Sequence, residues 1–288
     1  MGKFNRLIAV TKLAMRLGRR HLAAYSHPKS PRKFTQQQLM ACLVLKAYLQ
    51  ETYRGVIEQL EASDKLRAAL GLQGDLPHYS ALKKFADRGA TQAVLEGMLE
   101  ELARAVGSSQ EALSQEVAMD STGMERTSAS AHFVSRAGRV RRKFVKLSVV
   151  VICGALIPAA MAVSWGPTND KVEARELLLK AAAVIQPDTL YADAGYDAEW
   201  IHRYCHEEWG VSSIIKPVRH RDDGALGGEY RSAMTPGVLK RCGYGLRWHA
   251  ESYMSALKRT MGSGLRARQT EAMFTEVRIR VLAYALRR

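Results

Sequence analysis

Leu147-Ser148-Val149-Val150-Val151-Ile152-Cys153-Gly154-Ala155-Leu156-Ile157-Pro158-Ala159-Ala160-Met161-Ala162-Val163-Ser164-Trp165 is the longest apolar run in this 288-residue chain. It is long enough to raise the question of a membrane span. A spanning helix, however, needs about 20 predominantly apolar residues, and its centre tolerates few interruptions. Here Ser148, Cys153-Gly154 and Pro158 break the run, and Val and Ala dominate it. Short apolar runs separated by turn residues are the pattern of buried strands. The stretch is therefore expected to be a buried β-hairpin turning at Gly154, with strands over Phe144–Ile152 and Ala155–Trp165, and not a membrane segment.

Working outward, Glu116–Asp120 reads as a short strand before the hairpin. After it, Asn169 or Asp170 is expected to cap a helix over Val172–Ile185 that Pro187 terminates. Thr189–Asp193 is the next strand, ended by Ala194-Gly195. Asp197 should cap a helix over Ala198–Trp209, with Gly210 at its end. Val211–Lys216 is a fifth strand, His220–Tyr230 a Gly-rich loop, and helices are expected over Leu246–Met261 and Thr270–Leu286. An antiparallel hairpin followed by alternating helices and strands gives an α/β class with a mixed sheet flanked by helices. This order is similar to that of the ribonuclease-H-like fold, an analogy of fold alone.

Residues 1–110 read differently. A basic arm with a short helix leads to the loop Ser26-His27-Pro28-Lys29-Ser30-Pro31, and Thr35 is placed to cap a helix over Thr35–Gln50. Further helical stretches fall near Gly55–Leu70 and Ala81–Val106. Two domains are expected: a helical, basic region over 1–110 and an α/β domain over 111–288.

The formal net charge is +15, which favours a polyanionic partner, nucleic acid ahead of an anionic membrane surface. The charge is also segregated. Residues 1–50 hold no Asp or Glu, and none lies between Glu125 and Asp170, where Arg136, Arg139, Arg141, Arg142, Lys143 and Lys146 cluster. Acid-free basic blocks suit phosphate contacts, and Arg141, Arg142 and Lys143 are candidates for them. The four cysteines form no CxxC pair, so disulfide or zinc frameworks are not expected and a reducing cytoplasm is the natural home. His202 and His206 lie four apart near Cys205, but no HExxH pattern accompanies them, and a surface helix face is the plainer explanation. Trp165 is expected in the core. Trp248 fits either core packing or stacking on a base.

Cutting a phosphodiester without a covalent intermediate needs a nucleophile made from water and a stabilised leaving oxygen. Two magnesium ions about 3.5–4 Å apart provide both, and magnesium prefers carboxylate oxygens. Asp120 and Asp193 each end an expected strand. If those strands are parallel neighbours, both carboxylates leave the sheet at one edge, where α/β proteins place ligands. Each also has an ordinary explanation, Asp120 in an Asx turn with Ser121 and Thr122 and Asp193 in the turn made by Gly195. A third acid comes from a helix: by spacing, Arg247, Glu251 and Lys258 share one face, with Tyr244 at its start. Such a polar stripe is ordinarily a solvated face, yet it also offers a metal-binding carboxylate flanked by cations that can contact phosphates.

The spacing Tyr244, two residues, Arg247, three residues, Glu251, six residues, Lys258 resembles, position for position, the Tyr-Arg-Glu-Lys signature of DDE transposases from bacterial insertion sequences. Asp120-Ser121-Thr122 and Asp193-Ala194-Gly195-Tyr196-Asp197 resemble that family's two aspartate motifs. Leu66-Arg67 to Leu72, Pro77-His78-Tyr79-Ser80 and Leu82 resemble its small helical segment. One departure is Ala285, where relatives often carry Asn. The resemblance implies a ribonuclease-H-like enzyme with Asp120, Asp193 and Glu251 as catalytic and metal-binding residues. Two Mg2+ ions would serve it, with Mn2+ substituting. Tyr244, Arg247 and Lys258 would lie against DNA. The implied partners are double-stranded DNA, both element ends and target, and a second copy of the chain on paired ends, at the bacterial nucleoid. A ribonuclease-H-like nuclease that cuts but does not join, and a catalytically silent DNA-binding derivative, are the competing functions.

Overall fold

The computed structural model describes residues 5–109, 115–126, 143–218 and 226–288. Its helices are α1 (Arg6–His21), α2 (Gln36–Tyr48), α3 (Tyr53–Glu61), α4 (Asp64–Leu70), α5 (Tyr79–Ala86), α6 (Gly89–Ser109), α7 (Lys171–Ala182), α8 (Glu199–Arg203), α9 (Glu229–Ala233), α10 (Pro236–Arg241), α11 (Trp248–Met261) and α12 (Thr270–Arg287). The principal strands are β1 (Glu116–Arg126), β2 (Phe144–Ile152), β3 (Ile157–Gly166), β4 (Thr189–Ala192) and β5 (Ser212–Ile215). Two compact units are formed, one from Met1–Met98 with Leu257–Arg288 and one from Leu99–Ala256.

The first unit is helical. Most of α2 is buried, which makes it the central rod against which α1 and α12 pack. Its start follows from local chemistry: the Thr35 hydroxyl accepts from Gln38 N while the Gln38 side chain accepts from Thr35 N, a reciprocal cap. Residues 6–21 are not an arm. Val10, Ala14, Met15 and Leu17 are buried on one face of α1, and Gly18 lies against α2, where a Cβ would sit in ordinary contact with Gln37. The helix expected over 55–70 is two helices, because Ser63 caps α4 by accepting from Leu66 N.

Buried cations also hold this unit. Arg280 is 6% exposed; it donates to the carbonyls of Gly262 and Gly264 at 2.6 and 2.7 Å and to Glu276 at 2.6 Å. Removing a buried charge that satisfies several partners costs about 3–5 kcal/mol. Arg280→Leu should therefore lower the unfolding free energy by that order in urea titration. An unchanged midpoint would show that the buried guanidinium contributes nothing.

The second unit carries a sheet in the order β3-β2-β1-β4-β5. β1, β2 and β3 are antiparallel, while β1, β4 and β5 are parallel, so the sheet is mixed, as in ribonuclease-H-like folds. The apolar run forms the expected hairpin, β2 being buried throughout apart from its first residue and turning into β3 through Cys153–Leu156. Among the described residues no helix is long and apolar enough to cross a membrane. All four cysteines are free thiols. α7 packs on β2 and β3. A separate cluster of Ala118, Cys153, Tyr191, Ile214, Met234 and Ala250 joins β1, β4 and β5 to α11.

Of the two candidate caps before α7, Asn169 makes the bond, its Oδ1 accepting from Lys171 N at 3.0 Å, while the Asp170 side chain does not cap. Asp197 does not cap α8: its carboxylate accepts from Val218 N and takes both arms of Arg231. Beyond Arg203 the chain widens into a π-helical turn over Tyr204–Trp209, closed by Gly210.

Candidate active site

β1 does not end at Asp120; it continues to Arg126 against β2. What ends there is its pairing with β4, which runs from Glu116↔Thr189 to Met119↔Ala192. Asp120 and Asp193 are therefore the next residues of two adjacent parallel strands. Side chains alternate between the faces of a sheet. Ala118 pairs with Tyr191, so Asp120, two residues on, and Asp193, still in extended backbone, both follow the face that carries Ala118 and Tyr191. Ala250 packs on that same face, and Glu251 is its neighbour in α11.

The lead-in to α11 is held on these strands. Tyr244–Arg247 form a 3-10 turn against β1 and β4, and Tyr191 Oη donates to the Cys242 carbonyl at 3.0 Å. This brings Arg247 to Glu251, Nη1 to Oε1 at 2.5 Å, with the glutamate side chain 54% exposed. The two aspartates share one local geometry: Asp120 Oδ1 accepts from Ser121 N and Asp193 Oδ1 from Ala194 N, each at 2.7 Å.

The electrostatics connect the three acids. Burial, opposed by the Ser121 N–H, raises the Asp120 pKa to about 6; the charge of Asp193 adds to the rise, Arg247 opposes it and Glu251 adds again. Burial also raises the Tyr244 phenol, whose charged neighbours are Arg247 and Asp193. Burial works against the Arg247 charge, but Glu251, then Tyr244 and Asp193, outweigh it and raise its pKa. Asp120, Asp193, Tyr244, Arg247 and Glu251 thus form one interacting group. Among the described residues no three His, Cys, Asp or Glu side chains are drawn close enough to form a ready metal cage, and here Glu251 is turned to Arg247. The donor chemistry nonetheless fits a hard divalent cation, since the charges of Asp193 and Glu251 add to the cost of ionising Asp120 and a cation would relieve it.

Other expected residues fall elsewhere. Lys258 lies on α11 in the part of the helix that belongs to the first unit. Lys143 is exposed just ahead of β2, and Arg141 and Arg142 lie outside the described residues. Trp248 is 51% exposed and stacks on His249, so it is not a core residue; Trp165 is half-buried. His202 is not on a surface face. It is fully buried, its Nδ1 shares a hydrogen bond with Ser213 Oγ at 2.7 Å, and burial lowers its pKa. His206 accepts from Ser213 N and stacks on Tyr230. The short helices α9 and α10 escaped the sequence reading. The second had a usable signal: Thr235 accepts from Val238 N and Pro236 opens the helix, a Thr-Pro start.

The model of the transposase DDE domain family matches residues 111–286. No curated protein and no solved structure matches the chain. Enzymes of that family carry out nucleotidyl transfer, generally with divalent metal ions. With the match covering more than half of the sequence and containing both strand-edge aspartates and the glutamate helix, the chain belongs to the DDE-domain transposases.

Proposed function

We propose that this transposase binds the inverted-repeat ends of an insertion sequence, hydrolyses a strand at each end, and directs the new 3′-hydroxyl at a target phosphodiester. The observation that supports this most is the register of β1 and β4, which gives Asp120 and Asp193 a common face beside the helix of Glu251. Asp120, Asp193 and Glu251 would hold the metal, Mg2+ or Mn2+. When bound, a pair of such ions lowers the pKa of a water and stabilises a leaving oxygen.

The chain's own groups have distinct tasks in this reading. Arg247, held by Glu251, keeps its charge and presents its remaining donors to a phosphate. Tyr244 walls the same group. Lys258 and the basic residues Arg141, Arg142 and Lys143 hold backbone phosphates, and the helical region 1–110 reads the element end. A pair of copies on paired ends, at the nucleoid, completes the assembly.

The test is incubation of the protein with DNA carrying the element's ends and Mg2+ or Mn2+, resolving nicks from strand-transfer products on a denaturing gel. Both products are expected, and both should vanish with Asp193→Asn. Cleavage without joining would indicate a nuclease. Joining that survives Asp193→Asn would refute the assigned site.

A further inference from the structure

Directly behind the two aspartates, on the opposite face of the sheet, lies a polar cluster that the reading above does not use. Ser121 follows Asp120 in β1 and so points away from it. Its hydroxyl donates to Asp170 Oδ1 at 2.6 Å. The same oxygen is 2.9 Å from Lys146 Nζ, which also reaches Glu173 Oε2 at 2.8 Å. Ser164 Oγ donates to the other Glu173 oxygen at 2.6 Å. The side chains of Lys146 and Glu173 are 3% and 6% exposed. Asp170 is thereby fixed from β2 and α7, elements that carry none of the three acids.

The second oxygen of Asp170 faces the other aspartate's turn. A Cβ at Gly195 would lie 2.7 Å from Asp170 Oδ2, so a side chain there would have to push the clamped carboxylate aside. Tyr196, the next residue, is fully buried, and after burial itself the charges of Asp170 and Asp120 do most to raise its phenol pKa. One carboxylate is thus lodged between the residue after Asp120 and the turn after Asp193.

We propose that Asp170, clamped by Lys146 and Glu173, is a positioning residue that sets the spacing of Asp120 and Asp193 by gripping Ser121 with one oxygen and seating Gly195 against the other. The proposal rests on the reading of Asp120 and Asp193 as a metal-holding pair. Residues that orient metal ligands change affinity by about 10–100-fold when altered. Ser121→Ala removes only the hydroxyl, and Asp170→Asn removes the charge that Lys146 grips.

The experiment measures Mn2+ binding to the full chain without DNA, by calorimetry or by loss of the free-ion electron paramagnetic resonance signal. Ser121→Ala and Asp170→Asn should weaken binding about 10-fold. Ser121→Thr, which keeps the hydroxyl, should restore it. With DNA present, the first two variants should need more Mn2+ for half-maximal cleavage while retaining most of the rate at saturating Mn2+. Unchanged Mn2+ affinity in both overturns the proposal. Mn2+ binding that also ignores Asp193→Asn overturns the metal reading and the proposal with it. Equal loss in Ser121→Ala and Ser121→Thr shows a packing effect and overturns the positioning role.

Discussion

Asp120→Asn should give a protein that no longer cuts DNA yet unfolds less readily than the unsubstituted chain at neutral pH. The loss is expected to be about three orders of magnitude in strand cleavage, because a neutral amide cannot carry the charge that a divalent ion needs at the reacting phosphate. The stability gain follows from the same burial. Asp120 titrates at about 6 in the folded chain, above the ordinary carboxylate value of about 3.9 that it regains on unfolding. When the folded pKa is the higher one, the unfolded state releases its proton first. Stability is then lost as pH rises from about 4 to about 6 and stays lost above that. The cost at pH 7.5 is about 3 kcal/mol at most, taking about 1.4 kcal/mol per unit. Asparagine keeps an oxygen to accept from Ser121 N and carries no charge to desolvate. Denaturant titrations in the presence of chelator should therefore show the variant ahead at pH 7.5 and level with the unsubstituted chain at pH 4. Equal stability at both pH values would show that Asp120 bears no electrostatic strain.

The sequence carried the sheet because its strands are apolar and bounded by turn residues. Val149-Val150-Val151 and the Gly154 turn leave little choice, and Asp193 stands where Ala194-Gly195 breaks a strand. It carried the glutamate helix because a four-residue spacing survives in linear order. What it could not carry is chemistry assembled by non-local contact. Nothing adjacent in sequence says that Lys146, just ahead of the apolar run, meets Glu173 and Asp170 across the hairpin. Asp170 before a helix and Asp197 before another look like caps because capping is local, whereas their real partners lie on β1 and β2 for the first and at Val218 and Arg231 for the second. For the same reason α12, the last helix in sequence, gives no linear sign that it packs on α1 and α2. The sequence reading ends the first strand at Asp120. In fact β1 runs on, and only its parallel neighbour stops.

Lys146→Met should strongly destabilise the second unit. Lysine and methionine fill similar space, so the packing of β2 changes little and the cost is electrostatic. The ammonium donates to Glu173 at 2.8 Å and lies 2.9 Å from Asp170, with the Thr168 carbonyl and hydroxyl at 3.3 and 3.4 Å. Without it, Glu173 keeps, among the described residues, the Ser164 and Thr168 hydroxyls for a side chain 6% exposed. Stranding a buried charge in this way costs about 3–5 kcal/mol, whereas removing both members of such a pair is often close to neutral. Lys146→Met with Glu173→Leu should then recover most of the loss, and the difference between the double and the summed single changes measures the coupling. Equilibrium urea unfolding of the four proteins gives each term. A single-variant loss below about 1 kcal/mol, the range of exposed pairs, would mean that water reaches this site after all. A large loss recovered in the double variant would leave one question for the cleavage assay. If the fold survives without the clamp but the Mn2+ requirement still rises, the cluster is retained for the spacing of the aspartates in front of it rather than for stability.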